Sequence, residues 1–284
     1  MKLSSECISC VLASALELMA KQLPSERHQP TAARMLELAS QQDWQQSPPE
    51  FARELYGFLQ KCGGSKDSFA FEKQQSTRLA LQLLPELRKI IEQADDQFAC
   101  TVKAVIGGNI IDCGADRSID IPAAVQKLKS VFDMPLDESL IRQFEERFYN
   151  AKSIFYMLDN CGEAVLDKLL LERFPGKITL GVRGSFILND ITMHELADSQ
   201  LDHYSAIDTG DSTPGVAFSR AGKEFINAMR SADLVIAKGQ GNFETMDSYD
   251  RPIVHLLRVK CPVVARNLKQ NRGELALVMR NMGM

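Results

Sequence analysis

From Ala151 onward, short apolar runs alternate with longer amphipathic stretches, and this alternation constrains the fold more than any other feature of the chain. The run "SIFYML" leads into a helical pattern from Gly162 to Arg173. "ITLGVRG" leads into "MHELADSQL", and "YSAI" leads through a loop into "SRAGKEFINAMRSA". "DLVIAK" leads into "GNFETMDSY", and "CPVVARN" reads as the fifth strand that closes the series. Strands that are continuously apolar are buried on both faces, as in parallel sheets covered by helices. Strand–helix alternation of this kind builds βαβ units. The expected class is α/β, with a mostly parallel, doubly wound sheet.

Before Ala151 the texture differs. Apolar residues recur at helical spacing over Cys10 to Leu23, Pro48 to Cys62, Phe69 to Ala94 and Ile121 to Val131. β-Branched runs are scarce there. The expected organisation is a helical N-terminal region over 1–150 and an α/β region over 151–284. The stretch "QQDWQQSPPE" reads as a loop between helices.

Composition narrows the function. The chain has 284 residues and a formal net charge of −4. That balance gives no support to nucleic-acid binding, which needs a basic face. No apolar run approaches the roughly 20 residues that span a bilayer. The N-terminal stretch is broken by Glu6 and Glu17 and reads as an amphipathic helix rather than a signal peptide. Seven scattered cysteines, an odd number, do not read as a disulfide scaffold. A cytoplasmic protein is expected.

In open parallel sheets, ligands gather at the carboxyl ends of the strands. Asp159, Asn160 and Glu163 follow the first predicted strand. Arg183, Asn189 and Asp190 follow the second, and Asp208 with "DTGDSTPG" the third. Lys238, Gln240, Asn242 and Glu244 follow the fourth, and Arg258 and Lys260 precede the fifth. Asp159, Asn160 and Asp190 are hard oxygen donors suited to Mg²⁺ or Mn²⁺. Lys238, Lys260 and Arg183 supply positive charge, and the glycines of "KGQGN" let backbone N–H groups approach an anion. Carboxylates, amines and a helix N-terminus together fit a metal holding a phosphoryl group. Each piece also has a plainer reading. Asp159-Asn160 and Asn189-Asp190 suit helix N-caps, and "GQGN" suits an ordinary turn. The recurrence of such clusters along one sheet edge favours a site.

The ordered set "MLDNCGEAVLDKLL", "VRGSFILNDIT", "DTGDSTPG", "ADLVIAKGQGNFET" and "LLRVKCPVVA" resembles the signature of the metal-dependent damage-control phosphatases. "CISC", "KDSFAFEKQQSTRLAL" and "IGGNIIDCGAD" resemble the N-terminal region of the prokaryotic, CxxC-bearing branch. The resemblance covers almost the whole chain. It implies a helical part joined to a doubly wound α/β part, and phosphatase activity on sugar phosphates or damaged phosphometabolites with a divalent metal such as Mn²⁺, Co²⁺ or Ni²⁺. The family's metal ligands fall on Asp159, Asn160 and Asp190. Its substrate-contacting segment falls on Lys238 to Asn242, and the lysine of its later basic motif falls on Lys260. Gln240 stands where the eukaryotic branch has aspartate. The expected site is therefore Asp159, Asn160, Asp190 and Lys238 as catalytic groups. Glu163, Arg183, Lys238, Asn242 and Lys260 are expected around a small phosphorylated substrate.

Other residues have weaker claims. Cys7 and Cys10 form C-x-x-C, but a zinc site needs two more ligands. His194 suits an outer position or a solvated surface, and Cys161 has no predicted histidine base beside it. Asn109 and Asp112 suit either a cleft wall or a helix end. The leading expectation is a metal-dependent phosphomonoester hydrolase with water as nucleophile. The alternative is a small-molecule or carboxyl methyltransferase with an adenosyl cofactor. A lone glycine after "DNC", rather than G-x-G-x-x-G, stands against it.

Overall fold

The computed structural model describes residues 1–108 and 121–282. Asn109 and Asp112 lie outside the described residues. Among the described residues seven α-helices come first: α1 (Ser5–Gln22), α2 (His28–Ser40), α3 (Pro48–Lys61), α4 (Ala70–Glu92), α5 (Gln97–Gly107), α6 (Ile121–Phe132) and α7 (Glu138–Asn150). The alternating part follows with β1 (Ser153–Met157), α8 (Cys161–Leu171), β2 (Lys177–Val182), β3 (Ser205–Asp208), α9 (Lys223–Ser231), β4 (Leu234–Lys238) and α10 (Gly239–Met246). It ends in β5 (Ile253–Arg258), α11 (Pro262–Leu268) and β6 (Leu275–Arg280).

The six strands among the described residues form one sheet in the order β3-β2-β1-β4-β5-β6. All neighbours pair in parallel except β6, which runs antiparallel to β5. The sheet is buried on both faces because its strands alternate between two cores. Ile154, Tyr156, Leu234 and Ile236 face one core, shared with Leu79 and Leu83 of α4, Val102 of α5 and Val165 of α8. Phe155, Met157, Val235 and Ala237 face a second, shared with Phe225 and Met229 of α9 and Met246 of α10. A third core joins α1, α2 and α3 through Met19, Met35, Phe51 and Leu55, and reaches Ile187 beyond β2. Thus α4 and α5 belong with the sheet, whereas α1–α3 form a cluster above its carboxyl edge.

Two sequence expectations need correction. "MHELADSQL" is a single 3₁₀ turn at Met193–Glu195, not an α-helix. Thr192 and Glu195 close a capping box around it. "CPVVARN" is α11, not a strand. Proline is pre-organised for the first helical position, and the Cys261 sulfur accepts from Val264 N at 3.4 Å, so the valines continue a helix. The fifth strand is "IVHLLR" instead, so Arg258 ends it and Lys260 follows it. The antiparallel β6 has no counterpart in the expected series. Among the described residues no helix is long and apolar enough to cross a membrane.

Candidate active site

The strand order reverses between β1 and β4, and open α/β sheets hold ligands at that switch point. Register decides what meets there. Met157 pairs with Gly181 on one side and with Ala237 on the other. Two residues further on, Asp159 is therefore level with Arg183 and Gly239. Gly239 has φ +80°, and a β-carbon there would lie 1.9 Å from Asp159 Oδ2. Only glycine lets α10 begin this close to the carboxylate.

Asn160 precedes α8 but makes no side-chain cap. Its Nδ2 donates to Glu163 Oε1 at 2.7 Å and to Asp159 Oδ2 at 3.4 Å. Both amide hydrogens are thus spent inward, which leaves the carbonyl oxygen for the cleft. The Asn189-Asp190 pair does not cap the following turn either, since Thr192 does so. Instead Asp190 bridges to Asn160, and Ile191 N donates to Asp159 O at 2.8 Å.

Arg183 lies behind these groups and is only 1% exposed. Its Nε donates to Asp190 Oδ2 at 2.6 Å, one terminal nitrogen to Asp159 Oδ1 at 3.3 Å, and the other to Asn242 Oδ1 at 3.0 Å. Asn242 in turn donates to Leu158 O at 3.1 Å and Lys238 O at 2.7 Å. The guanidinium therefore spaces the two carboxylates and ties them to both strand ends.

Lys238 takes an orientation opposite to the one expected. Contact with substrate is expected of it from the sequence, yet its ammonium is fully buried beneath the cleft. Nζ donates to Asp167 Oδ1 at 2.6 Å and to Val105 O at 3.1 Å, with Glu163 Oε2 at 3.6 Å. Tyr156 OH also donates to Asp167, at 3.0 Å. Sequence reasoning left Asp167 out. Its signal is a carboxylate four residues after Glu163 within a mostly apolar helix, hence on the same face.

The cleft above is a cavity of about 730 Å³. Its floor carries Asp159, Asn160 and Asp190, and one side carries Gln240, Glu244 and Lys260. The opposite side comes from α1 and α3, with Cys7, Cys10, Val11, Pro48 and Ala52. Of the expected site residues, Asp159, Asn160, Asp190 and Lys260 line the cavity, while Glu163, Arg183, Lys238 and Asn242 form its underside. The "DTGDSTPG" loop spends its polar groups internally. Gly210 N donates to Asp208 Oδ1, and Asp211 pairs with Arg220 and Thr213. Cys161 is buried at the start of α8, and His194 is exposed against the Phe186 ring.

The buried carboxyls Asp159, Glu163, Asp167 and Asp190 outnumber the two buried cations they pair with, Arg183 and Lys238. Burial, and then the charge of Asp190, push the Asp159 carboxyl up to about 6. Burial likewise raises Asp190, Glu163 and Asp167 against the pull of Arg183 and Lys238. Two carboxylate side chains and a carboxamide, short of positive charge at the rim of a cleft, are the donor set a hard divalent cation fits. Among the described residues no group of three His, Cys, Asp or Glu side chains is arranged to hold a metal.

Residues 3–276 match the family model for the damage-control phosphatase ARMT1-like domain. A damage-control phosphatase of Pyrococcus horikoshii is 34% identical over 80% of this chain and 78% of its own. Another, from Archaeoglobus fulgidus, is 29% identical over 78% of each. An uncharacterised protein of Methanocaldococcus jannaschii is 28% identical over 98% of this chain and 96% of its own. The crystal structure of a DUF89 family protein from Pyrococcus horikoshii superposes with a TM-score of 0.88 at 27% identity, covering 99% of both chains. These matches favour the phosphatase reading over the methyltransferase one. With an α/β sheet whose switch point gathers buried acids under a cleft, and a family match over nearly its whole length, the chain belongs to the damage-control phosphatase family.

Proposed function

We propose that the cleft hydrolyses a phosphomonoester of a small metabolite. In this reading Asp159, Asn160 and Asp190 hold a divalent cation, Mn²⁺, Co²⁺, Ni²⁺ or Mg²⁺. Such a cation supplies Lewis-acid polarisation of a phosphoryl oxygen. The observation that carries the reading is the pair of buried carboxylates held apart by Arg183, beside an Asn160 whose side-chain amide donates to Glu163 and Asp159.

The chain's own residues supply the rest. Lys260 is exposed on the cleft side, and its charge acts on both Asp159 and Glu163. There it offsets charge on the equatorial phosphoryl oxygens. The first N–H groups of α10, beside Asp159, point the helix's positive end at the same place. Lys238 supports the site from below, because a direct phosphoryl contact would break its bond to Asp167. Glu163 links Lys238 to Asn160 and so keeps the amide oriented. The nucleophile in this reading is water, since Asp159 is already engaged as a ligand. A cytoplasmic setting is part of the reading, as the six described cysteines are free thiols.

The test is a phosphatase assay on metal-stripped protein. p-Nitrophenyl phosphate and a panel of sugar phosphates serve as substrates, and each cation is added back separately. Activity should return with at least one cation and be absent in a folded Asp159→Asn variant. Turnover that is independent of added metal, or retained by Asp159→Asn, would sink the reading.

A further inference from the structure

Gln240 carries no role in the reading above, yet its whole amide is committed at the cleft wall. Its Oε1 accepts from Lys260 N at 3.0 Å. Its Nε2 donates to Glu244 Oε1 at 2.9 Å and approaches the Cys261 sulfur at 3.4 Å. The Glu244 carboxylate, one turn further along α10, fixes which end of the amide points which way. The turn after β5 has other restraints, but these come from its own hairpin. Gly273 N donates to Val259 O at 2.7 Å, and Arg272 Nε donates to Lys260 O at 3.0 Å. Both partners precede β6. Gln240 instead ties that turn to the first turn of α10, where Gly239 abuts Asp159.

We infer that Gln240 is a positioning residue of the phosphatase reaction. It fixes the Lys260–Cys261 turn against α10, and thereby sets where the Lys260 ammonium stands over the carboxylate pair. The inference rests on the reading that Lys260 meets the phosphoryl group. The physical reason is reach. An exposed lysine on a flexible stem has many rotamers, and its backbone anchor decides which of them bring the ammonium to the substrate. A charge moved by about an ångström loses much of its value in a preorganised site.

The experiment is a double-mutant cycle with kcat, KM and the inhibition constant for inorganic phosphate as readouts. Lys260→Ala should weaken kcat/KM and phosphate inhibition. Gln240→Ala should lose about tenfold in kcat/KM, about 1.4 kcal/mol, with the same split between kcat and KM. In the Lys260→Ala background, Gln240→Ala should cost less than about twofold, because there is nothing left to position. The exchange Gln240→Glu with Glu244→Gln keeps an acceptor for Lys260 N and a donor–acceptor pair along α10, so it should recover most of the loss. Gln240→Glu alone, assayed well above the Glu244 value of about 7, sets two carboxylates together and should not. If Gln240→Ala fails to fold, that exchange and its single members carry the same cycle.

A full tenfold loss in the Lys260→Ala background, or no loss in the wild-type background, overturns the positioning role while leaving Lys260 in place. If Lys260→Ala changes neither kcat/KM nor phosphate inhibition, the failure lies in the reading of Lys260, and the role of Gln240 falls with it.

Discussion

Arg183 couples the two carboxylates that the proposed cation would share. Its planar fork reaches Asp190, Asp159 and Asn242 at once. Lysine keeps the charge but cannot reproduce three directed bonds. Arg183→Lys should therefore weaken cation affinity by about 10–100-fold, the usual scale for losing a partner that orients metal ligands. Calorimetry on stripped protein measures this, and unchanged affinity would deny Arg183 that part. Titration gives a second prediction at this scale. Burial pushes Glu244 up to about 7 from 4.5 and Asp167 up to about 6 from 3.8. A carboxyl raised on folding binds more protons in the native state, so its contribution is full below its unfolded value and is lost as pH rises through its folded value. Carboxylates lowered on folding, such as Glu195 and Asp211, act below that window. Buried His255, lowered to about 3 from 6.5, opposes the fall only below its unfolded value and is outnumbered by the raised carboxyls. The melting temperature of metal-free protein should therefore fall between about pH 5 and about pH 8. Glu244→Gln should flatten the upper part of that fall. A melting temperature that rises across the window would contradict the assignment.

At the scale of elements, α8 is an apolar helix that carries acids on one face. Asn160, Glu163 and Asp167 are spaced three and four residues apart, so they stack along the side that meets the end of β4. Lys238 leaves β4 into that face and is the cation within reach of both Glu163 and Asp167. Removing one partner of a buried ion pair leaves the other uncompensated, at a cost of about 3–5 kcal/mol. Lys238→Ala should cost about that much stability in urea melts, where a solvent-facing, phosphate-contacting lysine would cost little. Melts that match the wild type would return Lys238 to the cleft. The same logic explains why α10 starts with glycine. It begins against Asp159, and the positive φ of Gly239 leaves no room for a side chain.

At the scale of the molecule, the cleft needs both parts of the chain. The sheet provides the floor, and α1 with α3 provides the opposite wall. A cation bound only by the folded site stabilises the whole by mass action, by about 2.7 kcal/mol at a hundred times its dissociation constant. Adding the preferred cation to stripped protein should raise the melting temperature, and Asp190→Ala should abolish the rise. A rise that persists in Asp190→Ala would place the cation elsewhere.

The sequence by itself determined the α/β class and the strand ends that carry Asp159, Asn160 and Asp190, whereas Lys260, expected before a strand, in fact follows one. Buried strands must be apolar, and polar clusters that interrupt them mark their carboxyl ends. It misread "CPVVARN", because two valines suggest a strand while a proline at the first helical position and the Cys261 cap favour a helix. It overlooked "IVHLLR" and "LALVMR", whose pairing runs between segments distant in sequence. Only the tertiary structure decided which polar groups face the cleft and which lie beneath it. Lys238 and Lys260 are both lysines near strand ends, and nothing local distinguishes them. The difference is that Asp167 and Glu163 arrive on α8 under one and not the other. A buried ammonium turns toward the carboxylates that offset its desolvation, and which carboxylates those are is fixed by packing across the sheet.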